Sequence, residues 1–396
     1  MNTITKILIT SLIALIIFGA GAGAGYVLHD RLLNNLPSTD ENAGFSIYWE
    51  AWHHVEDQFY GVVPTETVTT YGAIKGALTT LNDPYTLFIE PEPAAKEKAQ
   101  LEGQFGGIGA YVRQDEQSRV VLEPMADQPA ERAGVKKGDI LIAVDGKSIT
   151  TTMTLDDIVG LIRGEVGTKV VITVERQGAD KPLDITIERA VIETPSAQWR
   201  ILDQAPKIGY IHLAAFTERS NKELNQAFTD LSEQGAEAYI LDLRNNGGGL
   251  LEAAVDVASQ FLREGVVLRE DRKNEGEKVY AVRSGGKALD QPLVVLVNGG
   301  TASASEIVAG ALQDYKRATL IGEKTFGKGS VQLIYELSDK SRLHVTVAKW
   351  FTPNNHAIDG TGLKPDIEVL ITDDDRANNR DPQLERAISF LQDGQK

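Results

Sequence analysis

Three stretches of the chain carry residue types that could do chemistry together. In Asn298–Glu306 (NGGTASASE), the apolar run PLVVLV gives way to small residues and then to a helical pattern, SEIVAGALQDY. A serine placed there, Ser303 or Ser305, stands beside a helix N-terminus, where unpaired backbone N–H groups and the helix dipole favour a developing oxyanion. In Gly322–Gln332 (GEKTFGKGSVQ), Lys328 lies between two glycines at the start of an apolar strand. A lysine is a general base only when neutral, and with an ordinary pKa of about 10.4 roughly one in 2,500 is neutral at pH 7. Burial lowers that pKa, and a fall to about 8 requires roughly 3 kcal/mol. In Asp242–Leu250 (DLRNNGGGL), a strand runs into three glycines ahead of another helix, LEAAVDVASQF. Such a turn can aim N–H groups at a substrate carbonyl. Taken singly, each stretch also has a purely structural reading: an N-cap, an exposed turn lysine, a tight connection.

Other chemistries are poorly supplied. The absence of cysteine removes thiol nucleophiles, disulfides and cysteine-based zinc sites. The six histidines (His29, His53, His54, His212, His344, His356) show no ligand spacing, so no metal site is visible and no cofactor is expected. Neither a GxSxG elbow nor a GDSGG context accompanies any serine, which argues against a Ser-His-Asp hydrolase. The formal net charge of -16 repels phosphate backbones and makes nucleic acid an unsuitable partner.

These residues must be positioned by more than one domain, since 396 residues exceed what a single core usually organises. Residues 1–31 hold an uncharged run, Ile7 to Leu28, after Lys6 and before His29, Asp30 and Arg31. That is long enough to cross a bilayer of about 30 Å, or to serve as a secretory signal. Export is expected either way. Residues 42–101 read as helical: Ile47, Trp49, Trp52, Val55 and Phe59 recur at helical intervals, and PEPAAKEKAQLEG forms a further helix ending at Gly103.

From 103 to 192 the texture changes to short strands and glycine turns. GGIGAYV and RVVLEPM read as strands, DQPAERAG as a short helix, and KKGDILIAVDGKSI as a strand pair about Asp145–Gly146. TLDDIVGLIRG is an amphipathic helix, and KVVITVERQG with LDITIERA a closing hairpin. The order resembles a PDZ domain, most specifically at Gly106-Gly107-Ile108-Gly109 and Lys137-Gly138-Asp139-Ile140-Leu141. A glycine loop of that kind turns successive N–H groups toward one carboxylate, and the neighbouring strand edge accepts a peptide strand. Residues 193–373 then alternate strands (KIGYIHLAAF, AEAYILDLR, PLVVLVN) with amphipathic helices and end on a hairpin, SVQLIYEL with RLHVTVAKWFTP, as in an α/β core. The tail, 374–396, is acidic and then helical (PQLERAISFLQ), with no role assigned.

Together the three chemical stretches and the domain order resemble the carboxy-terminal processing protease family, over nearly everything from Ile47 to Val369. In that family the base lysine follows the serine by 25 positions, the separation of Ser303 and Lys328, which selects Ser303 over Ser305. The resemblance implies a crotonase-like α/β protease core with an inserted β-rich PDZ domain and an N-terminal helical region. It implies Ser303 as nucleophile, Lys328 as general base, and Gln332, four residues on, as the group that orients the lysine. It places the oxyanion hole at the backbone N–H groups of Ala304, Gly248 and Gly249. The substrate's terminal carboxylate is expected at Gly106, Gly107, Ile108 and Gly109. Thr301 replaces the serine that many relatives carry.

The activity so implied is serine endopeptidase cleavage of exported proteins near their C-termini through an acyl-enzyme, on the periplasmic side of a bacterial inner membrane. Partners would be proteins or peptides with free C-termini and the membrane; relatives form homo-oligomers and some use adaptor proteins, and nothing in these residues specifies either. Two alternatives stay in view. A membrane-anchored, non-catalytic PDZ binding protein would show itself by loss of Ser303 or Lys328, and both are present. A crotonase-type acyl-transfer enzyme sits badly with the PDZ insertion and the export signal.

Overall fold

The computed structural model describes residues 44–394, apart from 116, 151 and 274. The expected export segment, 1–31, lies outside the described residues. Among those described, no helix is long and apolar enough to cross a membrane. The chain divides into two compact units, 1–73 and 74–396.

In the first unit, α1 (Ser46–Gln58) follows the predicted apolar spacing but buries none of its side chains. Its aromatic residues pack on one another, with the Tyr48 and Trp52 rings stacked at 6.5 Å. Helix α2 (Glu66–Thr79) carries the chain onward.

The second unit begins within α2 and continues with a short strand that the sequence did not announce, β1 (Leu87–Ile89), and then α3 (Pro91–Glu102), which opens on a proline and closes at Gly103. Strand β2 (Gln104–Gly107) leads into the PDZ fold: β3 (Ala110–Gln114), β4 (Val120–Pro124), α4 (Pro129–Arg132), β5 (Asp139–Val144), β6 (Lys147–Ser148), α5 (Leu155–Ile162), β7 (Lys169–Glu175) and β8 (Leu183–Glu188). These strands form one antiparallel sheet in the order β3-β4-β5-β7-β8, with β6 on β5. Alternate residues face a core of Leu122, Leu141, Ile172 and Ile187 that receives Ile158 from α5. Thr154 and Asp157 close the N-terminus of α5 as a capping box. The chain leaves along β9 (Ala190–Glu193), which pairs with β2. The PDZ domain thus hangs on a two-stranded ribbon. Gly106 and Gly107, read as part of a glycine loop, are ribbon residues paired with Val191 and Ala190.

The core follows with β10 (Ala197–Leu202), β11 (Ala205–Leu213), α6 (Ser220–Glu233), β12 (Ala238–Asp242), α7 (Leu251–Ser259), β13 (Val266–Arg272), β14 (Gly276–Ala281), β15 (Leu293–Val297), α8 (Ala304–Asp314), β16 (Thr319–Gly322), β17 (Ser330–Glu336), β18 (Arg342–Phe351), β19 (Ile367–Glu368), α9 (Asp373–Ala377) and α10 (Pro382–Gln392). The main sheet runs β10-β11-β12-β15-β16-β19 and is parallel from β11 onward. The central strands β12 and β15 are buried at every position and, Asp242 apart, read as apolar runs, as parallel strands covered on both faces do. Tyr239, Leu241, Val295 and Val297 face a core shared with α6, α7 and α8. Ile240, Val294, Leu296 and Ile321 face the opposite way, toward Ala387 and Ile388 of α10. A second sheet, β1-β18-β13-β14 with β17 on β18, stands beside the first.

The tail therefore has a structural job, and an ionic cluster docks it. The Arg244 guanidinium reaches Asp242 at 2.6 Å and Asp381, the N-cap of α10, at 2.8 Å. Tyr210 donates its hydroxyl to Asp242 at 2.7 Å, and Asp242 is only 2% exposed. Burial next to this carboxylate pushes the Tyr210 hydroxyl well above its ordinary pKa. Arg244→Ala would leave Asp242 with only the tyrosine and a backbone N–H. Breaking such a pair costs about 3–5 kcal/mol, so the Tm of the core transition should fall by roughly ten degrees in a thermal melt.

Candidate active site

Strands β12 and β15 are neighbours, with Asp242 opposite Leu296. Both end at the same edge, where parallel sheets characteristically bind ligands. The glycine turn issues from one and the serine loop from the other, so topology alone brings two of the three chemical stretches together.

Side chains then staple the two loops. The Asn298 Oδ1 accepts N–H groups from Asn245 at 2.9 Å and Gly300 at 3.0 Å. Thr301, fully buried, donates its hydroxyl to the Leu243 carbonyl at 2.8 Å, a role any hydroxyl of this reach could fill. The Asn246 carbonyl accepts the Ala302 N–H at 3.0 Å and the Ser305 hydroxyl at 2.8 Å. Ser305 is fully buried and spent on this contact. Ser303 is partly exposed and caps α8 with φ 55° and ψ -118°, a conformation that costs a non-glycine residue about 1–3 kcal/mol.

The turn fits against this elbow because it is glycine. A Cβ on Gly248 would lie 2.9 Å from both the Ala302 oxygen and the Ser303 Cβ, and 3.0 Å from the Ala304 nitrogen. One on Gly249 would lie 2.1 Å from the Phe216 oxygen. Phe216 holds the turn through its own N–H to the Gly248 carbonyl and its carbonyl to the Leu250 N–H. The Ala304 and Gly249 N–H groups have no described acceptor. Gly248 differs: its N–H is donated to the fully buried Asn246 side chain at 2.9 Å.

The third stretch is joined to the first by Glu306. This fully buried carboxylate accepts the Ser303 N–H at 2.9 Å, the Lys328 N–H at 2.9 Å, the Gly327 N–H at 2.7 Å and the Thr325 hydroxyl at 2.5 Å. From the other side, the Trp350 indole donates to the Lys328 carbonyl at 3.0 Å. The lysine backbone is therefore fixed on both flanks. Its ammonium lies 5.0 Å from the centroid of the Tyr85 ring. Burial pushes the lysine pKa below its ordinary value, against the opposing pull of Glu97 and Asp83.

The side chains expected to react are not engaged with one another. Among the described residues, no hydrogen bond joins Ser303 Oγ to Lys328 Nζ. Gln332 gives its amide to Ser330 at 2.8 Å and Thr346 at 3.2 Å rather than to the lysine. In the PDZ domain, Ile108 is 2% exposed within the core, its carbonyl accepting from Ala130 at 2.7 Å; Gly109 accepts from Met125 at 2.9 Å. The Ile108 and Gly109 N–H groups have no described acceptor, and the outer edge of β3 just beyond them is unpaired. Sequence reasoning missed Glu306, Asn246 and Tyr85. Glu306 alone left a trace, the S-x-x-E spacing of a capping box from Ser303.

An α/β core with a strained serine at a helix N-terminus and an inserted PDZ domain defines a class, the PDZ-bearing serine peptidases. Comparison with known proteins narrows it. The pattern of peptidase family S41 matches residues 207–369, and that of the PDZ domain residues 110–176. A carboxyl-terminal-processing protease of Synechocystis sp. is 40% identical over 332 residues, 82% of this chain and 77% of its own length. The carboxy-terminal processing protease CtpA of Bacillus subtilis is 35% identical, over 87% of this chain and 73% of its own. A solved structure from Bacteroides fragilis assigned to the S41 proteases shares the fold, with a TM-score of 0.52 at 18% identity over 85% of this chain and 93% of that one. The chain belongs to the carboxyl-terminal processing proteases, peptidase family S41. It is a serine endopeptidase, and its substrates are proteins.

Two measurements follow from the site. Glu306→Gln keeps the shape but turns an amide toward four donors; a displacement of about 1 Å at the reacting groups should cost at least ~100-fold in kcat. Lys328→Met tests the burial of the lysine. A lysine whose folded pKa is depressed binds fewer protons folded than unfolded, so its charge destabilises the fold increasingly as pH falls from the ordinary lysine range to the depressed value, and fully below that. The methionine variant should therefore melt higher than the parent at neutral pH, and the gap should close as pH rises toward the ordinary lysine range.

Proposed function

We propose that Ser303 and Lys328 are the catalytic dyad. The observation that carries this is the shared carboxylate of Glu306, which binds the backbone N–H of both residues. In the reaction, Lys328 Nζ takes the Ser303 hydroxyl proton as Oγ bonds to the scissile carbonyl carbon. The C–N bond then breaks as the same proton passes to the leaving amine, and water hydrolyses the acyl-enzyme. The Ala304 N–H, at the first position of α8, faces the developing oxyanion together with the Gly248–Gly249 turn. Gly249 has its N–H free, whereas Gly248 would have to release Asn246. Gln332 would orient the lysine after leaving Ser330 and Thr346.

These disengaged groups describe a latent site that a substrate completes. On this reading the Gly106–Gly109 segment senses the substrate's carboxylate, with Ile108 and Gly109 supplying the donors and Gly106 and Gly107 the ribbon that transmits the event. Unstructured C-termini ending in small or apolar residues are the substrates this site suits. The domain limits we adopt are 1–31, 42–101, 103–192, 193–373 and 374–396. The protein would be exported and held at, or released from, the periplasmic side of a bacterial inner membrane through residues 1–31. Homo-oligomers and an adaptor are the further partners its family suggests.

The test uses the full chain purified in detergent and an unfolded protein with an apolar C-terminus. Ser303→Ala and Lys328→Ala should each lower cleavage at least ~1,000-fold while circular dichroism stays that of the parent. Cleavage surviving Ser303→Ala would return the choice to a histidine-based hydrolase. Amidating the substrate's C-terminus should slow the parent at least ~10-fold if a carboxylate is sensed; equal rates would remove the PDZ segment from that role.

A further inference from the structure

Between α2 and β1 lies a turn, Asn82-Asp83-Pro84-Tyr85-Thr86, that no part of the dyad reading uses. It is tightly built. The Asp83 carboxylate accepts the Tyr85 N–H at 3.1 Å and the Thr86 hydroxyl at 2.6 Å, and Thr86 in turn accepts the Thr346 N–H at 3.0 Å. Strand β1 continues the attachment, pairing Leu87 with His344 and Ile89 with Arg342 on β18. The turn is therefore fixed to the strand whose Trp350 holds the Lys328 carbonyl. Cover and lysine share one frame.

We propose that Tyr85 is the positioning residue of the general base: its ring lies over the Lys328 ammonium, keeps the amine in register and excludes water from it. This rests on the reading of Lys328 as base. The ring does two opposed things. Its face attracts the cation, while its bulk strips water from it. The neighbours add charge of one sign: Asp83 on the turn, Glu97 on α3 (shared with Arg342 and His344), Glu306 on α8, and Asp359 (paired with Lys349). Of these, Glu97 and Asp83 pull the lysine toward the ammonium, yet it is displaced toward the neutral form, and burial is the largest cause. Tyr85 is the aromatic body that lies over the ammonium. Its attachment also has a direction. The chain runs from Tyr85 through β1 into α3, where Glu97 bonds His344 at 3.1 Å and Arg342 at 3.4 Å, and then directly into the PDZ ribbon. The seat of the lysine is thus on the covalent path to the peptide-binding domain.

The experiment compares the pH dependence of kcat/KM for parent, Tyr85→Phe and Tyr85→Ala, using the full chain in detergent and an unfolded substrate. The pH dependence of Ser303 labelling by a fluorophosphonate is recorded alongside as a readout free of substrate binding. Tyr85→Phe should keep the parent's acid limb. Tyr85→Ala should move that limb up by about one pH unit in both assays, a tenfold loss on its acid side that alkaline pH recovers. Tyr85→Gln, which removes the ring but keeps more of the side chain than alanine does, reads the same way should the alanine variant fail to fold. An unmoved limb in the alanine variant, whatever the loss of rate, overturns the proposal, as does a phenylalanine variant that behaves like alanine. Lys328→Ala is the control for the premise: if it still cuts, the dyad reading falls and this inference with it, whereas an inert Lys328→Ala with an unmoved Tyr85→Ala limb refutes the inference alone.

Discussion

The active site depends on one buried carboxylate. Glu306 joins its own loop to a second one that arrives 19 to 22 residues later, and four donors converge on its two oxygens. Three of the four are backbone N–H groups, so what Glu306 fixes is the path of the main chain and not any reactive atom. That division has a consequence. The loops carrying Ser303 and Lys328 are locked by main-chain contacts, while among the described residues no hydrogen bond joins the hydroxyl to the amine.

The strain at Ser303 belongs to the same design. A left-handed φ at a non-glycine residue persists only where its surroundings over-determine it. Here the Ser303 N–H is held by Glu306, the preceding N–H by the Asn246 carbonyl, and the glycine turn leaves no room behind. The parallel strands contribute by ending side by side. Neither β12 nor β15 contains a reactive residue, but their register decides that the two loops meet.

Much of this was legible in the sequence and some of it could not be. Long buried strands such as PLVVLVN and amphipathic helices such as LDDIVGLI announce themselves by periodicity, and Gly248, Gly249, Gly327 and Gly329 mark where backbone must pass close to backbone. The short strands β1 and β19 carry too few residues for any period. Strand β13, LREDR at its end, is polar by composition because it lies in the second sheet. Glu306 looked like an ordinary N3 carboxylate, since a capping spacing says nothing about a second loop arriving from twenty residues on. Gly106 and Gly107 misled for a related reason: glycine permits a loop, but here it permits a close crossing of Gly164, whose oxygen would lie 2.0 Å from a Cβ on Gly106. The tail gave its helix away and concealed its purpose, because the Arg244–Asp381 contact spans most of the core in sequence.

A lysine base imposes a further constraint that the charges around it make visible. Carboxylates stabilise the wrong protonation state, yet Asp83 and Glu97 stand close enough to oppose the effect of burial. Both are engaged by other partners. Burial pushes Asp83 up, but hydrogen bonds from Thr346, Thr86 and the turn backbone prevail and hold it below the carboxylate range. Glu97 is likewise raised by burial and lowered by His344 and Arg342, which take up its oxygens. A carboxylate already satisfied by two cationic or polar partners projects less field onto a third group. The acidic side chains therefore anchor the turn and α3 to β18, and their pull on Lys328 is outweighed by burial. With Lys328 as the proposed base, drying the amine falls to neutral groups, and a rigid, hydrogen-bonded frame around it is compatible with a neutral amine.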